Sequence, residues 1–443
     1  MSGFKCQNAI VLGLGTSGRA AALLLAREGA RVTAIDGSDN EKVRAVRDVL
    51  RTESIEVLCG EKNLPDEKFD LAVVSPGIPI EHRWLAELKE RGTEILPEFE
   101  LGWSRLRSRA IAVTGTNGKS TVVKWLAESF REAGFTAEPC GNYGKPVCEI
   151  AMAPVQPDWA VIEVSSFQLE VAKDFRADAC VLLNLLPNHL DRHPSFEAYA
   201  AAKARLFENC RESDFCIVPA GDLTQMKKLS GGIGTWKTFG PTGEFVFRNG
   251  AVLQSGRNLA ELRGTYFDND VLGVNASAVI AAFTSLGIGA GYAVTAAKKF
   301  IPLPHRMETV AEIHGVKFIN DSKATTLSAV VAALKMCGGK ARLIAGGILK
   351  ERPGPDIKEM LAQRTAGVYV IGIASEDLFQ AWADICPCQR CETLDWAVKA
   401  AFGDAQAGDV ILLSPGCASF DQFTGYQQRG EVFRKLVKSL VGN

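Results

Sequence analysis

Apolar and polar positions along the chain follow two periods. Short apolar runs bounded by glycine or polar residues read as buried strands: "VLGLG" from Val11, "AIAVTG" from Ala110, and "VILLS" closing on Ser414. Two more, "WAVIE" and "ACVLLN", close on Glu163 and Asn184. Between such runs, apolar residues recur at three- and four-residue spacing. Val122, Trp125, Leu126 and Phe130 would share one face of a helix. Strand and helix alternate throughout, which predicts an α/β protein with mainly parallel sheets.

Breaks in this rhythm divide the 443 residues into three expected domains, 1–97, 98–302 and 303–443. At the first break Pro97 and a change to acidic residues, "EFELGW", precede the fresh strand "AIAVTG". At the second, Pro302 and Pro304 flank a segment that cannot continue a helix. Neither a repeat nor a low-complexity tract is visible.

Composition narrows the function classes. The chain is 47% hydrophobic and 23% charged, with a net charge of −1. It therefore has no general basic field for nucleic acid or an anionic membrane, so affinity for phosphate must come from local loops. The N-terminal apolar run is cut short by a glycine turn, and no stretch approaches the roughly 20 apolar residues of a membrane span. A cytoplasmic protein without nucleic-acid or membrane partners is expected. Of twelve cysteines, only Cys386, Cys388 and Cys391 cluster. With no second pair nearby, they read as a cysteine-rich surface turn rather than a zinc site.

Two loops carry candidate chemistry. Gly13-x-Gly15-x-x-Gly18 follows a strand and opens a helix, and Asp36 closes the next strand. That arrangement places a diphosphate on a helix N-terminus, in NAD or in another nucleotide. "TGTNGKST" supplies Gly115, Thr116, Asn117, Gly118, Lys119, Ser120 and Thr121. It is a shortened phosphate loop, because Val113 stands where the general pattern has its first glycine. Its amides and Lys119 suit ATP phosphates, and the Ser120 hydroxyl suits Mg²⁺. Two polar strand ends follow as candidate sources of metal ligands: Glu163 with Ser165, Ser166 and Gln168, and Asn184 with His189, Asp191, Arg192 and His193. Lys203 sits on an alanine-rich helix, where a lysine by default faces solvent. Strands end alike at Ser75 and Ser414, each followed by Pro-Gly.

"TGTNGKST", "EVSSFQLE", "GNYGKP", "NHLDRH", "PHRME", "NDSKATT" and "LLSPGCASFDQF" with "YQQRGEVF" stand in an order and spacing that resembles the Mur ligase family over essentially the full length. The resemblance implies a Rossmann-like N-terminal domain, a P-loop ATPase-like central domain and a Rossmann-like C-terminal domain. It implies a monomeric, ATP-dependent ligase of peptidoglycan synthesis working through an acyl phosphate. "EVSSFQLE" is similar to the branch that joins D-glutamate to UDP-N-acetylmuramoyl-L-alanine.

Ser120, Glu163, His189 and a carbamylated Lys203 would then hold two Mg²⁺ ions, with Lys119 clamping phosphates. Asn275, Arg306, Asp321 and Lys323, with His305, would complete the ATP site. Thr16, Ser17, Gly18, Asp36, Ser75, Gly77, Asn142, Ser165 and Gln168 would bind the UDP substrate. Thr325, Lys350, Ser419 and Tyr426 would bind D-glutamate. The chain departs from the family pattern at Val274, Ala278 and Asn188. The other expectations weighed are a related Mur-type or folylpolyglutamate-type ligase and an NAD-dependent oxidoreductase.

Overall fold

The computed structural model describes residues 6–189, 192–350 and 352–440. Three sheets are present. By contacts, the chain divides into two compact units, one of Met1–Phe267 with Gly273–Lys299 and one of Asp268–Leu272 with Phe300–Asn443. No described helix is long and apolar enough to cross a membrane.

The first unit begins with β1 (Asn8–Leu12), α1 (Thr16–Arg27), β2 (Arg31–Asp36), α2 (Glu41–Thr52), β3 (Glu56–Cys59), β4 (Leu71–Val74), α3 (Arg83–Glu90), β5 (Glu94–Pro97) and α4 (Glu98–Trp103). The sheet is parallel, in the order β3-β2-β1-β4-β5. Because β1 has neighbours and helices on both sides, its run Ala9–Leu12 is wholly buried. Strand order reverses between β1 and β4, which opens a crevice at their carboxyl ends.

The acidic stretch after Pro97 is helical and buried. It forms α4, in which Glu98 and Glu100 are each 2% exposed. Glu98 Oε1 accepts the Cys148 amide at 2.8 Å, and Glu100 accepts the Lys173 amide at 2.8 Å. Phe99 packs into the core of the second sheet and Leu101 into that of the first. Backbone donors on distant segments satisfy these buried acids, and sequence alone does not reveal them. Burial raises the Glu98 carboxyl to about 7.

The second sheet contains β6 (Arg109–Thr114), α5 (Lys119–Glu132), β7 (Ala137–Gly141), α6 (Val147–Ala151), β8 (Trp159–Glu163), α7 (Ser166–Leu169), β9 (Ala179–Leu182), α8 (Phe196–Ala204), β10 (Phe215–Pro219), α9 (Leu223–Ser230) and β11 (Thr235–Phe239). It continues with β12 (Phe245–Arg248), β13 (Ala251–Gln254) and β14 (Arg257–Glu261), and then α10 (Asp270–Ser285) and α11 (Ala290–Lys299) follow. The order is β14-β13-β12-β11-β10-β9-β6-β8-β7, parallel except at the β12-β13-β14 edge. Trp125 of α5 stacks on Phe267 at 3.8 Å and donates to the Ala293 carbonyl at 2.9 Å.

The last sheet is built from β15 (Glu308–Ile313), β16 (Val316–Asn320), α12 (Leu327–Met336), β17 (Ala341–Gly346), α13 (Pro355–Arg364), β18 (Thr365–Ile371), α14 (Ser375–Trp382), β19 (Cys388–Glu392), α15 (Leu394–Gly403), β20 (Val410–Leu413) and α16 (Tyr426–Leu440). Its order is β15-β16-β20-β17-β18-β19, with only the β15-β16 hairpin antiparallel. The three clustered cysteines lie on and before edge strand β19, not on a surface turn. Cys386 and Cys388 join one face of the sheet and Cys391 the other. Among the described residues no metal-holding group of His, Cys, Asp or Glu forms.

Candidate active site

The carboxyl ends of β6, β8 and β9 meet at the shortened phosphate loop. Gly115 has φ +150° and Gly118 φ +85°, and Gly118 caps α5 from the left-handed region. Lys119 folds back, its Nζ donating to the carbonyls of Gly115 at 2.7 Å and Thr116 at 2.9 Å. Asn184 is not free to serve a metal: its Oδ1 accepts the Asn117 amide and its Nδ2 donates to the Asn117 carbonyl. The Thr116 hydroxyl ties the loop to the Leu186 backbone and lies 3.1 Å from the Tyr199 hydroxyl. Asn275 on α10 abuts the loop so closely that a Cβ on Gly118 would sit 2.7 Å from its Nδ2. Ser120 and Thr121 occupy the buried first turn of α5.

Glu163 ends β8 in register with Val113, one strand from the loop. It is 2% exposed. Its Oε1 accepts a 2.6 Å hydrogen bond from Asn142 Nδ2, while Oε2 is buried without a partner. Ser165 and Gln168 form a capping box at the start of α7, so each already engages the other. His189 has φ +55°, and its ring meets Phe167 edge-on at 4.8 Å. The candidate Asp191 lies outside the described residues.

Lys203 overturns the expectation of a solvated lysine. It is 1% exposed on α8, with Nζ 3.0 Å from the Gly115 carbonyl and 3.3 Å from Thr114 Oγ1. Burial lowers its amine far below the usual lysine range. The charge on Lys119 adds to this and Glu163 opposes it. The alanine face of α8 packs inward under the loop, and Lys203 goes in with it.

In the first domain, Thr16, Ser17, Asp36, Ser75 and Gly77 line one cavity of about 620 Å³ at the carboxyl ends of β1 and β4. Gly18 does not line it. A Cβ there would lie 1.8 Å from the Gly13 carbonyl oxygen, so this glycine lets α1 close on its own loop. Asp36 accepts the amides of Leu14 and Ser38, each at 2.8 Å, and so shapes the wall of the cavity. Ser75 Oγ donates to the Gly13 carbonyl at 2.9 Å. Glu61, Lys62, His82, Arg83 and Trp84 also line the cavity. Sequence reading missed them because they stand on loop and helix starts without a motif.

In the last domain the other serine of the repeated strand ending, Ser414, donates to Asp321 Oδ2 at 3.0 Å. Asp321 also accepts the Met307 amide, and burial lifts its carboxyl to about 7. His305 Nδ1 meets Asn320 Nδ2 at 3.0 Å. Lys323 Nζ lies 4.1 Å over the Tyr426 ring. Ser419 is buried, Thr325 and Arg306 are partly exposed, and Lys350 is exposed. Arg429, absent from the expected set, is 1% exposed and donates to Ser322 Oγ, the Ser322 carbonyl and the Cys417 carbonyl.

Family models match three stretches: a Mur ligase MurD-like N-terminal domain at 7–97, a Mur ligase middle domain at 113–262 and a Mur ligase glutamate ligase domain at 305–417. The UDP-N-acetylmuramoylalanine--D-glutamate ligase of Acidobacterium capsulatum is 36% identical, covering 98% of this chain and 96% of its own. The protein of the same name from Gloeobacter violaceus is also 36% identical, covering 97% and 99%. The chain belongs to the Mur ligase family.

As a Mur ligase it is an ATP-dependent, amide-bond-forming enzyme of peptidoglycan synthesis acting on small molecules. Solved Mur ligases share its fold. The UDP-N-acetylmuramate-alanine ligase of Thermotoga maritima superposes with a TM-score of 0.63 at 17% identity, covering 98% of this chain and 100% of its own. The MurF ligase of the same organism, in complex with ADP, superposes at 0.61 and 15% identity, covering 92% and 95%.

The residues present fit Mg²⁺. A buried carboxylate oxygen without a partner, Glu163 Oε2, is a hard anionic ligand waiting beside a phosphate loop.

Proposed function

We propose that this Mur ligase joins D-glutamate to UDP-N-acetylmuramoyl-L-alanine in the cytoplasm, acting as a monomer. The UDP end would occupy the first-domain cavity, where Thr16 and Ser17 supply donors and Lys62 and Arg83 supply positive charge, with Ser75 lining it. The L-alanyl carboxylate would attack the γ-phosphate of ATP, forming an acyl phosphate and ADP. The D-glutamate amine would then displace phosphate through a tetrahedral intermediate, losing its proton.

Lys119 is suited to clamp phosphates once it leaves the two loop carbonyls it now caps. Ser120 and Glu163 would hold one Mg²⁺, which supplies charge neutralisation on the transferring phosphoryl group. A second would be held by His189 and a carbamate on Lys203. Carbamylation needs a neutral amine, which adds CO₂ and loses a proton. Burial without a carboxylate hydrogen bond favours that neutral form. Thr325, Lys350, Ser419 and Tyr426 are the proposed D-glutamate contacts. Asn275, Arg306, Asp321 and Lys323 are the proposed ATP contacts.

The observation that carries the reading is the pairing of buried Glu163 and buried Lys203 around one phosphate loop. Phosphate release from ATP should require UDP-N-acetylmuramoyl-L-alanine and D-glutamate together. Equal turnover with L-glutamate, or none with either, refutes it.

A further inference from the structure

Arg192 is held from three directions. Its Nη1 donates to the Pro76 carbonyl at 2.9 Å, and its Nη2 to the Ile78 carbonyl at 3.2 Å and to Glu170 Oε2 at 2.9 Å. The guanidinium lies 3.9 Å over the Phe167 ring, which also meets the His189 ring at 4.8 Å and the His193 ring at 5.6 Å. Pro76 and Ile78 line the first-domain cavity. The Arg192 amide donates to the His189 carbonyl at 3.0 Å. Glu170 in turn engages His193 Nδ1 at 3.3 Å, and His193 Nε2 meets Ser166 Oγ at 3.0 Å. The side chains of Arg192 and Glu170 are only 15% and 11% exposed. This is therefore a packed junction and not a surface ion pair.

We propose that Arg192 is a positioning residue: its fork on Pro76 and Ile78 fixes the wall of the first-domain cavity relative to the His189 turn. The proposal rests on the reading above, in which the cavity holds the UDP end and His189 serves the transfer site. A planar guanidinium can bond two carbonyls and a carboxylate at once while stacked on a ring, and a lysine ammonium cannot reproduce that geometry. Loss of the fork would leave each site formed but misplaced, and a misplacement of about 1 Å costs up to about a hundredfold in rate.

The test compares Arg192→Lys and Arg192→Ala in the full chain. With all substrates saturating, kcat should fall about tenfold or more while KM for ATP stays within about twofold. UDP alone, followed by calorimetry, should bind about fivefold or more weakly. Millimolar guanidinium should restore part of the Arg192→Ala rate. Wild-type kcat and UDP affinity in Arg192→Lys overturn the proposal. So do losses in both variants that merely track a lowered thermal midpoint and weakened ATP binding. If the wild type itself releases no phosphate, the functional reading has failed, and UDP affinity against ATP affinity then decides the position of Arg192.

Discussion

Lys203 and Lys119 share an acceptor: their Nζ atoms lie 3.0 and 2.7 Å from the same Gly115 carbonyl oxygen. Burial, reinforced by the charge on Lys119, lowers the Lys203 amine well below the usual lysine range. The unfolded chain keeps this amine protonated up to about pH 10.4. In CO₂-free buffer, stability should therefore rise with pH from the depressed native pKa toward that value. Thermal midpoints of wild type and Lys203→Met across alkaline pH check this, and the variant should lack the rise.

Lys203→Ala should lose about a hundredfold or more in turnover. Acetate or a similar short carboxylate should restore part of it by supplying the missing oxygen ligand. Phosphate release with and without acetate is the measurement, and the absence of rescue argues against the carbamate.

Glu163→Gln should leave the ligand-free fold intact or more stable, because it removes a buried charge with one unpaired oxygen. Turnover should fall by about 10³-fold at saturating Mg²⁺. Thermal denaturation alongside Mg²⁺-dependent ATP binding checks both halves. A midpoint several degrees lower contradicts the argument.

Asp321 binds a proton in the native state up to about pH 7, whereas an unfolded aspartate releases it near about 3.9. The folded form therefore holds more protons in this window, and its stability falls as pH rises through it. Asp321→Asn should flatten that part of the midpoint–pH curve, and urea titrations at a series of pH values measure it.

Gly18→Ala should destabilise the first domain by about 1–3 kcal/mol and abolish UDP binding, since its Cβ meets the Gly13 carbonyl oxygen. Gly77→Ala is the control. Its Cβ meets nothing within 4 Å, so stability should hold within about 0.5 kcal/mol. Any change in UDP affinity there reports the ligand directly.

Much of the fold was legible because its information is local. Glycine turns, apolar strand endings and helix spacing mark the three sheets and both phosphate-binding loops. They could not say which nucleotide the first loop serves, because Gly13, Gly15, Gly18 and Asp36 answer only to a diphosphate-like backbone geometry. The burial of the α4 acids and of the α8 lysine was not legible, for a common reason. Their burial depends on partners at Cys148, Lys173 and Gly115, distant in sequence and without periodicity of their own. Arg429 and Tyr199 were silent for the same reason, since each acts through carbonyl or hydroxyl groups brought up by other loops.

The walls of the first-domain cavity come entirely from residues between Gly13 and Trp84, and none belongs to the phosphate loop. If the UDP end of the substrate binds in this cavity, as proposed, a compound seated there would compete with it and would meet no competition from ATP at the Gly115–Thr121 loop. Its potency against the enzyme would thus hold at the millimolar ATP of a growing cell, where an occupant of the phosphate loop would be displaced.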